Sequence, residues 1–317
     1  MTVDTPRSPG LVLVAHGTRN LDAVDEIEGL CRQVRRRIAA PVRYGWVEWD
    51  LVEPSPAEAA EQALADGADA LVTLPFLAFA AGHSKTDVPG ELAPFHDAHP
   101  DLPLYHGLVL GQHPRLHDLA RRRIADARRT LGLPPEAGEQ EALLVTGPGS
   151  SDPDANSELA KAARFVADTS SYRWAEIAFA GVTWPRPDEA VRRLHRAGFE
   201  RITRFSWSLL AGKLEARVDD LINEAWQDIP SVEIVDAGRF GPADEVADAV
   251  ADRYHEALHG DPRSNCDLCQ FRLPLPGREN RAGLPSAGGT GERIRADAAA
   301  IQASRADDPN YLDWKKA

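Results

Sequence analysis

Two kinds of stretch alternate along this chain. Short, unbroken apolar runs are followed by longer segments in which apolar residues recur every three or four positions. Leu11–Ala15, "LVLVA", is such a run and predicts a buried strand. The segment from Leu21 to Ile38 has the helical period, with Asn20 ahead of it as an N-cap. Val42–Val47 predicts a second strand, Pro56–Asp66 a helix capped by Ser55, and Ala70–Phe79 a third strand. A loop, a helix near Glu91–Ala98, a short strand at Tyr105–Leu110 and an Arg-rich amphipathic helix over His117–Leu131 complete the series. Strands of this kind, alternating with helices, predict a parallel sheet covered on both faces.

The pattern then begins again. "ALLVTGPGSSDPDANSELAKAARFVAD" repeats strand, Gly turn and helix, and "RITRFSWSLLAGKLEARVDDLINEA" matches "ALVTLPFLAFAAGHSKTDVPGELAP". In this register His16 aligns with Pro148 and His83 with Lys213. The two internal spacings, 67 and 65 positions, agree closely enough for a tandem duplication. The expectation is α/β: two flavodoxin/Rossmann-like domains with parallel sheets, 8–133 and 141–260, followed by an irregular tail over 261–317. The second domain serves as a comparison for the first. Aligning Pro54 with Pro185 puts Phe179 at the place of Glu48, so His16, Glu48 and His83 all disappear there while the strand skeleton persists. Residues needed for packing would be kept in both copies. Their loss predicts one active half and one scaffold half.

Charge and length narrow the function. The 317 residues carry 36 basic and 49 acidic side chains, a net charge of −13, which argues against general nucleic-acid or anionic-membrane binding. No apolar run reaches the roughly 20 residues of a membrane span. "MTVDTPRSPG" has no apolar signal region, and three cysteines cannot build a disulfide framework, so the expected compartment is the cytoplasm.

His16, Glu48 and His83 lie at or just beyond the C-terminal ends of predicted strands, the edge at which open α/β sheets bind ligands. Two neutral imidazoles and a carboxylate suit borderline divalent ions such as Fe²⁺, Co²⁺, Ni²⁺ or Zn²⁺. The residues alone leave blander readings open: His16 as a cap on a backbone group, His83 as a loop residue and Glu48 as a solvated strand end.

"LVLVAHGTRN" followed by "LPFLAFAAGHSKTDVPGEL" resembles the class II tetrapyrrole chelatases, the sirohydrochlorin chelatase family of sirohaem and cobalamin synthesis. The resemblance rests on His16-Gly17-Thr18, on Gly82-His83-Ser84-Lys85-Thr86-Asp87-Val88-Pro89 and on "VEWDLVEPS" around Glu48, and it covers about residues 10 to 260. It implies insertion of Fe²⁺ or Co²⁺ into sirohydrochlorin held between two α/β lobes. His16 would be metal ligand and proton acceptor, His83 its partner, and Glu48 a third ligand or proton relay. The substrate's carboxylates call for local cations, for which Arg19, Arg43 and Lys85 are the candidates. The Gly-rich turn "TGPGSSDPDAN" either offers backbone N–H groups to a substrate carboxylate or is a capped helix start.

Beyond about Asp261 periodicity gives way to Gly, Pro and Arg. Cys266 and Cys269 form a CxxC pair there, while Cys31 falls within a predicted helix as a core residue. Two thiolates are half of what an Fe–S cluster needs, so a cluster would bridge two chains of a homodimer. The family resemblance, some of whose long members carry such a cluster, adds weight to it; a redox or zinc-binding thiol pair is the alternative. His255 and His259 are a further i, i+4 pair. Two other functions compete with chelation. One is a metal or tetrapyrrole carrier on the same fold. The other is a histidine phosphatase, against which Ala15 stands where a phosphate-binding Arg is required.

Overall fold

A computed structural model describes residues 8–260. It contains eight strands and eight α-helices among those residues, in strict alternation. The first sheet is built from β1 (Pro9–Ala15), β2 (Val42–Trp46), β3 (Ala70–Pro75) and β4 (Leu104–His106), and the second from β5 (Glu141–Gly147), β6 (Ala175–Phe179), β7 (Arg201–Ser206) and β8 (Glu233–Arg239). Their orders are β2-β1-β3-β4 and β6-β5-β7-β8, and every pairing is parallel. This is the start of the flavodoxin-like order, in which β1 and β3 flank a switch point.

Local sequence explains the main elements. Leu11 to Ala15 are fully buried, as a run without polar positions requires of a strand covered on both faces. In α1 (Leu21–Ile38) the buried residues Ala23, Ile27, Leu30, Cys31 and Val34 recur at helical spacing, and Asn20 caps the helix by accepting from the Asp22 N–H. Before α2 (Pro56–Ala65), Ser55 and Glu58 form a reciprocal capping box. Cys31 is a core residue, and burial pushes its thiol up to about 12.

Three elements depart from the sequence expectation. β3 stops at Pro75 instead of Phe79: Val14 pairs with Pro75, the Phe76 N–H closes on the Val14 carbonyl, and the chain then leaves the sheet. β4 is confined to Leu104–His106. The helix expected from Glu91 begins eight residues earlier, as a π-helical turn at His83–Asp87 that runs into α3 (Val88–Ala98). Pro89 sits in the first turn of α3, where its missing N–H is not needed, so it starts the helix rather than breaking it.

The compact units divide differently from the expected 8–133 and 141–260. Among the described residues one unit takes 8–111 and 242–260, and the other runs from Gln112 to Gly241. In the first, α8 (Asp244–His259) packs on α1 and β3, with Arg37 paired to Asp244 and Asp248 and the Tyr254 hydroxyl donating to the Pro9 carbonyl. In the second, α4 (Pro114–Thr130) packs on β8 and α5 (Pro153–Thr169). Arg128 of α4 is buried and donates to the Pro134 and Glu136 carbonyls and to Glu141, which ties down the segment between the two expected domains. The last helix of each sequence repeat thus covers the other repeat's sheet. Hydrophobic periodicity shows which face of α4 and α8 is buried but not against which sheet.

Candidate metal centre

Each of the three sequence-nominated residues leaves the C-terminal edge of the first sheet. His16 directly follows β1, Glu48 lies two residues past β2, and His83 opens the helical turn after β3. Backbone bonds continue the sheet pairing outward: the Val47 N–H donates to the Ala15 carbonyl and the Glu48 N–H to the His16 carbonyl at 2.9 Å. The side chains converge. One ligand atom from each of His16, Glu48 and His83 lies within 4.8 Å of the others, the one such group of three found among the described residues. His16 Nδ1 is 3.3 Å from Glu48 Oε2, and the two imidazoles meet edge to face with centroids 4.2 Å apart. His16 is half exposed, so the group opens to incoming ligands.

Glycine at position 17 has a steric cause. Its φ is +134°, and a Cβ there would stand 2.5 Å from the Glu48 Cβ. The His-Gly pair is therefore what lets β1 end on His16 with the glutamate packed against the next residue.

A fourth residue orients the second histidine. His83 Nδ1 lies 2.6 Å from Asp87 Oδ2, and the other carboxylate oxygen accepts from the Thr86 hydroxyl at 2.9 Å. Asp87 is 3% exposed. A carboxylate on one ring nitrogen holds the proton there and leaves the other nitrogen as a free lone pair, the usual arrangement around a metal-binding imidazole. Asp87 stands in the sequence motif, yet the sequence reading gave it no role. The available signal was its i, i+4 distance from His83, hidden by placing His83 in a loop.

The other nominated residues divide. Arg19 is exposed three residues after His16, and Lys85 is half-buried within the π turn. Arg43 is not brought to this edge: it lies deep in β2, opposite Val12, and its guanidinium grips both oxygens of Asp66. The Gly-rich turn of the second half is a capped helix start. Asp152 accepts from the Asp154 N–H, Asn156 bridges to Ser150, and Asp152 and Asp154 are buried, which disfavours a carboxylate guest. His255 and His259 stack with centroids 6.2 Å apart. Cys266 and Cys269 lie outside the described residues.

In the second half the corresponding edge carries no ligand set. Pro148 follows β5 as His16 follows β1, and Lys213 opens α7 (Lys213–Asp228) after a glycine as His83 opens its turn. The counterpart of Glu48 is Gly181 rather than Phe179. The Gly181 N–H donates to the Pro148 carbonyl as the Glu48 N–H does to that of His16. The proline-anchored alignment misplaces this position because the loop back to the proline is two residues shorter: Trp46 bonds to Pro54, but Phe179 to Pro185.

Comparison with known proteins places both halves of the chain in one family. A family model described as CbiX matches residues 10–127 and again 142–257. The sirohydrochlorin cobaltochelatase of Priestia megaterium is 28% identical over 273 residues, covering 84% of this chain and 85% of that protein. The sirohydrochlorin ferrochelatase of the same organism is 19% identical over 71% of this chain and 82% of its own length. Among solved structures, SirB from Bacillus subtilis with Fe³⁺ superposes with a TM-score of 0.68 at 21% identity, over 80% of this chain and 96% of that one. The cobalt complex of a SirB from Bacillus subtilis subspecies spizizenii gives 0.64 at 19% identity, over 79% and 95%.

Proposed function

We propose, from the premise that the chain belongs to the CbiX family, that it is a sirohydrochlorin chelatase inserting Fe²⁺ or Co²⁺ into the macrocycle. The observation that carries this reading is the convergence of His16, Glu48 and His83 at one sheet edge, with no equivalent set on the repeat-related edge. Two imidazoles and one carboxylate hold a borderline divalent ion without saturating it, so the ion can be passed on. It is here a substrate, not a resident cofactor.

The reaction exchanges two pyrrole N–H protons for M²⁺. His83, its Nδ1 proton held by Asp87, presents its other nitrogen to the ion. His16 is the exposed member and the one beside Glu48, which suits it to take a proton as the metal leaves and to hand it through the carboxylate to water. Lys85 and Arg19, near the candidate centre in sequence, are the cations proposed to meet substrate carboxylates; Arg43, held by Asp66 in β2, is left out. An anaerobic absorbance assay with sirohydrochlorin and each divalent metal tests the reading. Many turnovers with excess metal support an enzyme, and a single stoichiometric binding event would identify a carrier.

The proposal extends to the tail on sequence grounds. Cys31, whose buried thiol stays protonated, is not available as a third thiolate, so each chain offers only Cys266 and Cys269. An all-cysteine Fe–S cluster would then join two subunits of a cytoplasmic homodimer. Anaerobic purification tests this: a brown dimer that turns colourless in a Cys266→Ser, Cys269→Ser variant supports it. A protein lacking iron and sulfide overturns it.

A further inference from the structure

Trp49 follows Glu48 directly and is 44% exposed, whereas Trp46, three residues earlier, is buried in the core. An indole left in water next to a ligand group is unusual enough to ask what covers it. It is not a loose side chain. The Leu51 N–H donates to the Glu48 carbonyl at 3.0 Å, closing a tight turn with Trp49 and Asp50 at its tip. The start of that turn is fixed by the bond from the Glu48 N–H to the His16 carbonyl. The indole itself is held as well: its Nε1–H donates to Glu91 Oε2 at 3.1 Å.

Glu91 lies four residues after Asp87, which lies four after His83. Residues at this spacing share one helical face. That face sets two rings: Asp87 holds the His83 imidazole and Glu91 holds the Trp49 indole. Burial and the nearby Asp87 and Asp50 charges push the Glu91 carboxyl up, while the indole N–H draws it down. The same helical face that carries His83 therefore also fixes the orientation of an exposed aromatic ring one residue from Glu48.

We propose that Trp49 is the stacking surface for the flat, conjugated macrocycle, and that Glu91, acting through Trp49, is the positioning residue that sets the macrocycle's plane relative to His16, Glu48 and His83. This rests on the chelatase reading of the same site. A metal ion enters a tetrapyrrole along the normal to its plane, so the tilt of that plane at the ligands governs the transfer. An aromatic face one residue from a ligand defines the tilt and covers apolar ring surface that the ligands cannot.

The test uses the full-length protein and its Trp49→Ala, Trp49→Phe, Glu91→Ala and Glu91→Gln variants. Three quantities are measured: Co²⁺ affinity without tetrapyrrole, binding of metal-free sirohydrochlorin by its absorbance shift, and steady-state KM and kcat. Trp49→Ala is expected to weaken sirohydrochlorin binding about tenfold and to raise KM in step, with Co²⁺ affinity held within about twofold. Trp49→Phe keeps a stacking face but lacks the N–H that Glu91 holds, so its loss should match that of Glu91→Ala and fall short of that of Trp49→Ala. Glu91→Ala raises KM by about three- to tenfold, and Glu91→Gln, whose amide oxygen still accepts the indole N–H, restores it. Unchanged sirohydrochlorin binding in Trp49→Ala, while the parent protein still inserts metal, overturns this inference alone. A matching loss of Co²⁺ affinity would also overturn it, since the substitution would then act on the ligands. Failure of the parent protein to insert any metal would overturn the chelatase reading and this inference with it.

Discussion

His83 and Asp87 form a 2.6 Å imidazole–carboxylate pair across a single π-helical turn. A regular α-turn also brings i and i+4 together, but the wider π turn is the local irregularity that marks many functional sites. The buried carboxylate fixes which nitrogen of His83 faces outward. Asp87→Asn is therefore expected to lower Co²⁺ affinity by about 10- to 100-fold with little change in fold, as loss of the partner behind a metal-binding imidazole generally does. Metal titration followed by a thermal melt checks both halves of this expectation.

The division of labour between repeats gives a second prediction. His16→Ala is expected to reduce chelation by about 10²- to 10⁴-fold, the range spanned by loss of an acid–base group. The side chain is exposed, so the melting temperature should hold. Lys213→Ala, at the exposed repeat-equivalent of His83, should change KM at most. If Lys213→Ala abolished turnover as fully as His16→Ala, the second half would be more than a scaffold.

Gly17 and Gly67 both have positive φ, +134° and +95°, but only at Gly17 would an added Cβ meet a neighbour, the Glu48 side chain. Gly67→Ala is expected to cost about 1–3 kcal/mol through backbone strain alone, leaving activity per folded molecule intact. Gly17→Ala should add displacement of Glu48 to that cost and so depress metal binding as well. Parallel melts and Co²⁺ titrations of the two variants distinguish strain from site damage.

The strands and the three candidate residues His16, Glu48 and His83 were legible in the sequence because they rest on local signals: unbroken apolar runs, a His-Gly turn, and the disappearance of the same residues from the repeat. What escaped depends on tertiary partners. The swap of α4 and α8 between sheets leaves no trace in their amphipathic patterns, since either sheet offers an apolar face. Arg43 looked available because Asp66, which occupies it, is 23 positions away. The helical turn at His83 has no apolar period of its own, and it runs into α3 through Pro89, which is favourable in a first helical turn. Glu91 and Trp49 are 42 positions apart and become a pair only when α3 meets the turn after β2.

His117, in the other compact unit, gives a pH prediction. The ring is buried between Phe165 and Trp207, its Nε2 meets Gln112 Oε1 at 2.8 Å, and burial pushes its pKa down to about 4, with the Arg121 charge adding to the effect. A histidine that titrates lower when folded leaves the unfolded chain binding more protons through the window from about 6.5 down to 4. Stability is thus full above that window and lost as pH falls through it, by roughly 1–3 kcal/mol. His117→Gln keeps a polar group for Gln112 and removes the titration. Denaturant melts at pH 7 and pH 4.5 should therefore differ less in the variant than in the parent protein.

The repeat also predicts what will not be gained. Placing Pro148→His, Gly181→Glu and Lys213→His in one chain restores the three ligand types at the repeat-related positions, the first two of which the backbone bonds make equivalent. A second metal is nevertheless not expected. The residue four past Lys213 is Arg217, where Asp87 stands in the first half, so a histidine at 213 would face a guanidinium instead of the carboxylate that orients His83. The loop after β6 is two residues shorter than the loop after β2, which changes the path behind the introduced glutamate, and α7 opens as a regular helix without the π turn. Co²⁺ titration of the triple variant should thus saturate at the same stoichiometry as the parent protein. Adding Arg217→Asp replaces the repelling charge and is the change expected to recover measurable, weak second-site binding. A second equivalent bound by the triple variant alone would show that three ligands suffice and that the partner behind His83 matters less than its geometry implies.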